Sequence, residues 1–225
     1  MFILHHWPLD PWSRQARLAL AEKKCAVELR FQRVWEPEDA FFDLNPSGLT
    51  PVLEDRSGDT PLVIVQADAI LAHLEETRRD PPLLPADQAG RAEVRRLVTW
   101  FDRKFDAEVN AYLLHEKLEK RMQNLGSPDA AMIRAGRDYL RAHLDYMSML
   151  LERRDGLAGP RFSLADLVAA AHLSCVDYLG DVPWDSFPAA KAWYERIKCR
   201  PSFRSLLDDR LPGLPPARWY ADLDF

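Results

Sequence analysis

Residues 45–53 read Asn45-Pro46-Ser47-Gly48-Leu49-Thr50-Pro51-Val52-Leu53. Asn, Pro, Ser and Gly in succession stop any helix that precedes them. Pro51 then opens an apolar run, and proline is tolerated at the first position of a strand. Upstream, Pro37 to Leu44 has room for a short helix. Before it, Val27, Leu29 and Phe31 alternate with Glu28, Arg30 and Gln32, the pattern of a half-buried strand. Earlier still, RQARLALAEKK (14–24) is rich in helix formers, with Ala16, Ala19 and Leu20 on one face. Ser13 is its expected N-cap, with Asp10 as competitor. Phe2-Ile3-Leu4 reads as a short buried strand. Downstream, Ser57-Gly58-Asp59 turns the Val52-Leu53 strand into a second one, Leu62-Val63-Ile64-Val65. Residues 68–76 are helical, with Ile70, Leu71 and Leu74 apolar.

The order is therefore strand, helix, strand, helix, strand, strand, helix. Such alternation implies a parallel portion of sheet, and the turn at Gly58 adds an antiparallel hairpin. This α/β domain is expected over 1–78, with a linker over 79–90 that holds three prolines and a glycine. An all-α domain with a C-terminal tail is expected over 91–225. Val94, Val98, Phe101, Phe105 and Tyr112 step along one long helix, and Leu140, Leu144, Met147 and Leu151 along another. Ser163-Leu164-Ala165-Asp166 resembles a capping box that opens LVAAAHLSCVDYL. The tail, LPGLPPARWYADLDF, is too proline-rich at its start for helix.

Composition limits the function. Among 225 residues, 47% are hydrophobic and 29% charged, a globular balance. Thirty basic and 35 acidic residues leave a net charge of -5, which gives no electrostatic reason to expect nucleic acid or an anionic membrane as partner. The first residues carry neither a basic n-region nor a long apolar stretch, so no signal peptide and no membrane insertion are expected. Cys25, Cys175 and Cys199 are scattered, suit a reducing compartment, and read as buried small hydrophobes. The cytoplasm follows. No metal is expected, because the histidines lack ligand spacing. His5 and His6 should point to opposite faces of their strand. His172 reads as a satisfied core residue.

Four segments in order resemble the glutathione S-transferase superfamily across nearly the whole chain. They are Asp10-Pro11-Trp12-Ser13-Arg14-Gln15-Ala16-Arg17-Leu18, residues 45–53, Gln66-Ala67-Asp68-Ala69-Ile70, and the 163–166 box. The resemblance implies a thioredoxin-like α/β domain followed by a helical domain. It implies that Pro51 follows a cis bond, with Thr50 presenting its backbone to the peptide portion of glutathione. It also implies a homodimer that pairs the first domain of one subunit with the helical domain of the other.

The same resemblance exposes departures at the glutathione site, comprising Asp10, Ser13, Thr50, Pro51, Gln66 and Ala67. A family hydroxyl that donates to the glutathione thiolate falls on Asp10. An ionised carboxylate cannot donate, and at ~4 Å two like charges repel by about 4 kcal/mol at an effective dielectric near 20. Ala67 lacks the hydroxyl that helps hold the γ-glutamyl carboxylate, although a helix N-terminus remains. Gln66 lacks the charge that would meet the ligand's amino group. No glutathione cofactor and no catalytic residue are expected on this reading. The alternative is an active transferase, or a glutathione-dependent lyase, that uses Ser13 to activate the thiol. A third reading is a carrier of some other small ligand.

Finer features resemble the FtsZ-binding, transferase-like division proteins of alphaproteobacteria. These are the LHHW start, the Val34-Trp35-Glu36-Pro37 stretch, and the closing Trp219-Tyr220-Ala221-Asp222-Leu223-Asp224-Phe225. This likeness implies a pseudoenzyme that binds FtsZ filaments at the division site and supports constriction. Trp35 is then a candidate hot spot. In the closing segment Trp219, Tyr220 and Phe225 would anchor while Asp222 and Asp224 steer. The alternatives are that Trp35 packs the domain interface and that the tail folds back onto its own helical domain.

Overall fold

In the computed structural model, which describes residues 1–225, the first apolar run forms β1 (Phe2–His6), and all five of its residues are buried. β1 is buried because it is central. The sheet order is β2-β1-β3-β4, with β2 (Val27–Phe31) parallel to β1. β3 (Val52–Asp55) and β4 (Leu62–Val65) follow antiparallel. The register aligns Leu4 with both Leu29 and Leu53, and Leu53 with Ile64. The helices of this unit are α1 (Pro11–Glu22), α2 (Asp39–Leu44) and α3 (Ala67–Thr77).

Three expectations change here. β2 is an edge strand, and of its apolar residues only Val27 is half-buried as expected: Leu29 is 41% and Phe31 51% exposed. Asp10, not Ser13, caps α1, which starts three residues earlier than a Ser13 cap implies because Pro11 suits the first helical turn. Only Cys175 is buried; Cys25 is half-buried and Cys199 exposed. The paired histidines do point opposite ways along β1. His5 reaches Glu54 at 2.8 Å and Gln32 at 2.9 Å.

Residues Met1–Pro82 form one compact unit together with Pro201–Leu206, and Leu83–Arg200 with Leu207–Phe225 form the other. The short stretch 201–206 joins the first unit because the Arg17 guanidinium donates to the Ser205 carbonyl at 2.7 Å and the Ser202 hydroxyl donates to Glu22.

The second unit opens with one continuous helix over 88–122. It begins as α4 (Gln88–Thr99), capped by Asp87, which accepts the Gly90 N–H at 2.7 Å. Helix therefore starts inside the expected linker. Its middle, Trp100–Asn110, is π-helical; α5 (Ala111–Leu114), a second π stretch (His115–Glu119) and α6 (Lys120–Met122) complete it. Phe101, Phe105, Val109 and Leu113 recur every four residues and are all buried.

α7 (Ala130–Leu151) packs close to that helix at Gly136. A Cβ there would lie 2.7 Å from the Tyr112 Cβ, so only glycine fits. α8 (Leu164–Tyr178) is buried on every side, as its apolar sequence requires. His172 on α8 is a satisfied core residue: Asn110 donates to Nδ1 at 2.7 Å and Nε2 donates to Asp102 at 3.0 Å. α9 (Pro188–Lys198) and α10 (Arg204–Leu207) follow.

The 163–166 box forms, and Asp166 does more than cap. Its Oδ2 accepts the Ser163 N–H and the Ser163 hydroxyl, both at 3.0 Å. Its Oδ1 accepts the Leu157 N–H and the Trp193 indole N–H, both at 2.8 Å. One carboxylate thus ties the loop before α8, the start of α8 and the side of α9. Removing it strips a cap and leaves buried donors unpaired. Asp166→Ala is expected to cost about 3 kcal/mol, beyond the ~1 kcal/mol of an ordinary cap, read by urea denaturation. A loss of under ~1 kcal/mol would mean that the carboxylate only caps.

Candidate functional site

The site predicted in the first unit gathers where β1 runs into α1. Asp10 adopts an extended backbone, φ -90° and ψ 118°, which aims its carboxyl back at the start of the helix. Oδ1 accepts the Trp12 N–H at 3.2 Å, and Oδ2 accepts the Ser13 N–H at 3.0 Å. Two hydroxyls complete the set. Ser13 Oγ donates to Oδ2 at 2.5 Å and Thr50 Oγ1 at 2.9 Å. Each hydroxyl has one hydrogen, and both hydrogens go to Asp10. Ser13 is also fully buried, and its oxygen accepts the Trp7 N–H at 3.2 Å.

This arrangement has a chemical consequence. A thiolate needs a donor, and the hydroxyls nearest the predicted position point instead into a carboxylate. Asp10 occupies the donors that a ligand sulfur would use. Burial lifts its pKa above the usual 3.8, opposed by the bonds from Ser13 and Thr50 and by the two backbone N–H groups. Four converging donors suit the ionised, acceptor-only form.

Thr50–Pro51 is cis, and the Pro51 carbonyl accepts the Gln66 N–H at 3.1 Å. That bond brings the 45–53 and 66–70 segments together. Gln66 holds φ 72° and ψ 149°, a conformation that costs a non-glycine residue about 1–3 kcal/mol. Its side chain is exposed and makes no capping bond to α3. Ala67 is buried and brings no hydroxyl. Asp68 stands in the first turn of α3, where its charge already complements the helix dipole and repels a second anion. The six site residues are thus brought together in the first unit, where Ala67 brings no hydroxyl and Gln66 no charge.

The other predicted residues lie apart. In the first unit Trp35 is half-buried, its ring edge-on to Trp7 at 4.8 Å, and Trp7 in turn meets Phe31 at 5.3 Å. In the second unit the closing segment lies against α8 and α9. Tyr220 is fully buried beside Tyr178, ring to ring at 5.1 Å. Trp219 donates its indole N–H to Asp177 at 3.1 Å, sharing that oxygen with the Trp184 indole at 2.8 Å. Gly180, at φ 76°, takes the left-handed backbone conformation that glycine adopts without steric cost. Phe225 lies on Trp184 at 5.4 Å, and Asp222, Leu223 and Asp224 stay exposed.

Sequence reasoning missed the anchors Asp177, Trp184 and Lys198. Lys198 had a signal, because it follows Trp193, Tyr194 and Ile197 on the apolar side of α9.

Asp10 supplies a pH test. Between 3.8 and its raised value, the folded chain binds more protons than the unfolded chain. Stability contributed by this group therefore falls as pH climbs through that window and is flat above it. Wild type should lose ground to Asp10→Asn over that range, measured by chemical denaturation at a series of pH values. A difference independent of pH would contradict the assigned environment.

Comparisons with known proteins give the same two-part fold. The family model for the N-terminal domain of glutathione S-transferase matches residues 11–77, and that for its C-terminal domain matches 111–201. FtsZ-localized protein A of Caulobacter vibrioides is 58% identical over 222 residues, covering 99% of this chain and 97% of that one. The solved structure of FzlA from C. crescentus superposes with TM-score 0.98 at 57% identity, over 100% of this chain and 99% of that one. A glutathione S-transferase structure from Rhodospirillum rubrum F11 gives TM-score 0.96 at 48% identity, over all of both chains.

Proposed function

Since the chain belongs to the glutathione S-transferase family, we propose that it is a non-catalytic member which binds FtsZ filaments and regulates bacterial constriction, working in the cytoplasm at the division site. The observation that carries this is whole-length identity of 58% to a protein named for its localisation with FtsZ. The donor arrangement around Asp10 supports it independently, because both nearby hydroxyls donate to that carboxylate. Ser13 is a poor substitute for the lost hydroxyl, since it is buried and its proton is committed to Asp10.

The contact surface follows from exposure. Tyr220 is an anchor of the closing segment and does not meet the partner. Asp222, Leu223 and Asp224 face outward, beside a cavity of about 340 Å³ walled by Trp184, Lys191, Trp219 and Phe225. We assign these carboxylates and the rim of Trp219 to the partner. Trp35 is assigned with them as an aromatic anchor, half-exposed on its loop. A homodimer of family type would bury apolar surface that is otherwise wet: Leu62 and Val63 on β4 are 50% and 39% exposed, and Met149 on α7 is 55% exposed. Light scattering should give the mass of two chains at micromolar concentration; the mass of one would remove the dimer from the account.

Polymerised FtsZ tests the main reading. Wild type should co-pellet with filaments. Trp35→Arg should weaken binding by about thirtyfold, the scale of a hot spot, and Asp224→Lys by several-fold or more. Circular dichroism on each variant separates lost binding from lost fold. Full co-pelleting of both folded variants would remove this surface. In parallel, the chain should pass through immobilised glutathione unretained and leave a chlorinated aromatic substrate unconverted. Retention with turnover would restore the enzyme reading.

A further inference from the structure

Lys198 ends α9, and its side chain is fully buried. A buried lysine ordinarily keeps its charge by pairing with a carboxylate. This one is held differently. Its Nζ donates to the Trp219 carbonyl at 3.3 Å and stands 4.0 Å from the centre of the Phe225 ring and 5.8 Å from that of Tyr194. A cation over an aromatic face gains most when both are out of water. Burial pulls the lysine's pKa down. Asp177 from α8, Asp222 from the closing segment, and Glu195 and Cys199 from its own end of the chain act against that.

Two of the three contacts come from one segment, at residues 219 and 225. The residues between them, Asp222, Leu223 and Asp224, are the exposed ones. The second ammonium near the ring, Lys191 at 5.2 Å, also pairs with Asp185 at 3.6 Å and touches the segment only at Phe225. Lys198 alone grips both ends.

We propose that Lys198 is the positioning residue of the acidic segment: its ammonium pins the Trp219 main chain and the Phe225 ring, and so holds Asp222 and Asp224 at one place for the partner. What those carboxylates meet rests on the FtsZ reading above; the pinning itself does not.

Lys198→Met keeps the apolar stem and removes the charge. Because it leaves the buried Asp177 without that cation and the Trp219 carbonyl without its donor, the melting temperature should fall modestly. Amide hydrogen exchange over 219–225 should quicken about tenfold while α8 stays protected. FtsZ co-sedimentation should weaken by a comparable factor. Lys198→Arg, which keeps a cation over the ring, should retain both properties. Phe225→Leu should reproduce Lys198→Met and add little to it in the double variant.

A role confined to folding would instead quicken exchange across α8 as much as over 219–225. Unchanged exchange in Lys198→Met overturns the pinning. Faster exchange with undiminished FtsZ binding overturns the positioning role. If wild type itself fails to co-pellet, the FtsZ reading falls, and the exchange comparison still decides whether Lys198 holds the segment.

Discussion

The Asp10 carboxylate draws together the end of β1, the first turn of α1 and the loop before β3. It does so by accepting two N–H groups and the hydroxyls of Ser13 and Thr50. A serine at this position would cap α1 nearly as well and would leave its own hydrogen free for a ligand. An ionised carboxylate reverses that polarity: it accepts from donors and offers none. On the proposed non-catalytic reading, the scaffold is kept while the donors near the predicted sulfur position are engaged by Asp10. The same bonds that start α1 also occupy the site.

The helical unit repeats the device in a different setting. Asp166 takes four donors from three places, and Asp177 takes two indole N–H groups from Trp184 and Trp219. Burial raises the pKa of both, as it does for Asp10. A buried acid that gathers neutral donors is a rigid joint, because moving any one element leaves a polar group unpaired. The Asp177 joint lies beneath the closing segment and fixes Trp219, while Lys198 fixes Phe225. The exposed acids between them are therefore displayed from a held strand of chain.

Much of this was legible in the residues. The strand and helix order of the first unit follows from periodicity and from the stops at 45–48. The Ser163–Asp166 box is local chemistry, and it formed. What was not legible depended on tertiary context. The alternation of β2 does not say that nothing covers its outer edge. The caps Asp10 and Ser13 compete on equal terms until Pro11 and Thr50 are placed. The π geometry from Trp100 to Asn110 leaves no mark in the four-residue spacing from Phe101 to Leu113, which an α-helix suits equally. Tyr220 reads equally as an anchor for a partner or for a tail folded back, and its burial against Tyr178 decides for the second.

The central claim, that Asp10 has spent the donors a thiolate would need, is tested most directly by the ultraviolet absorbance of glutathione thiolate, titrated against pH with and without a molar excess of the protein. Coincident titration curves are expected. A curve shifted to lower pH, with thiolate appearing near neutrality only when the protein is present, would contradict the account.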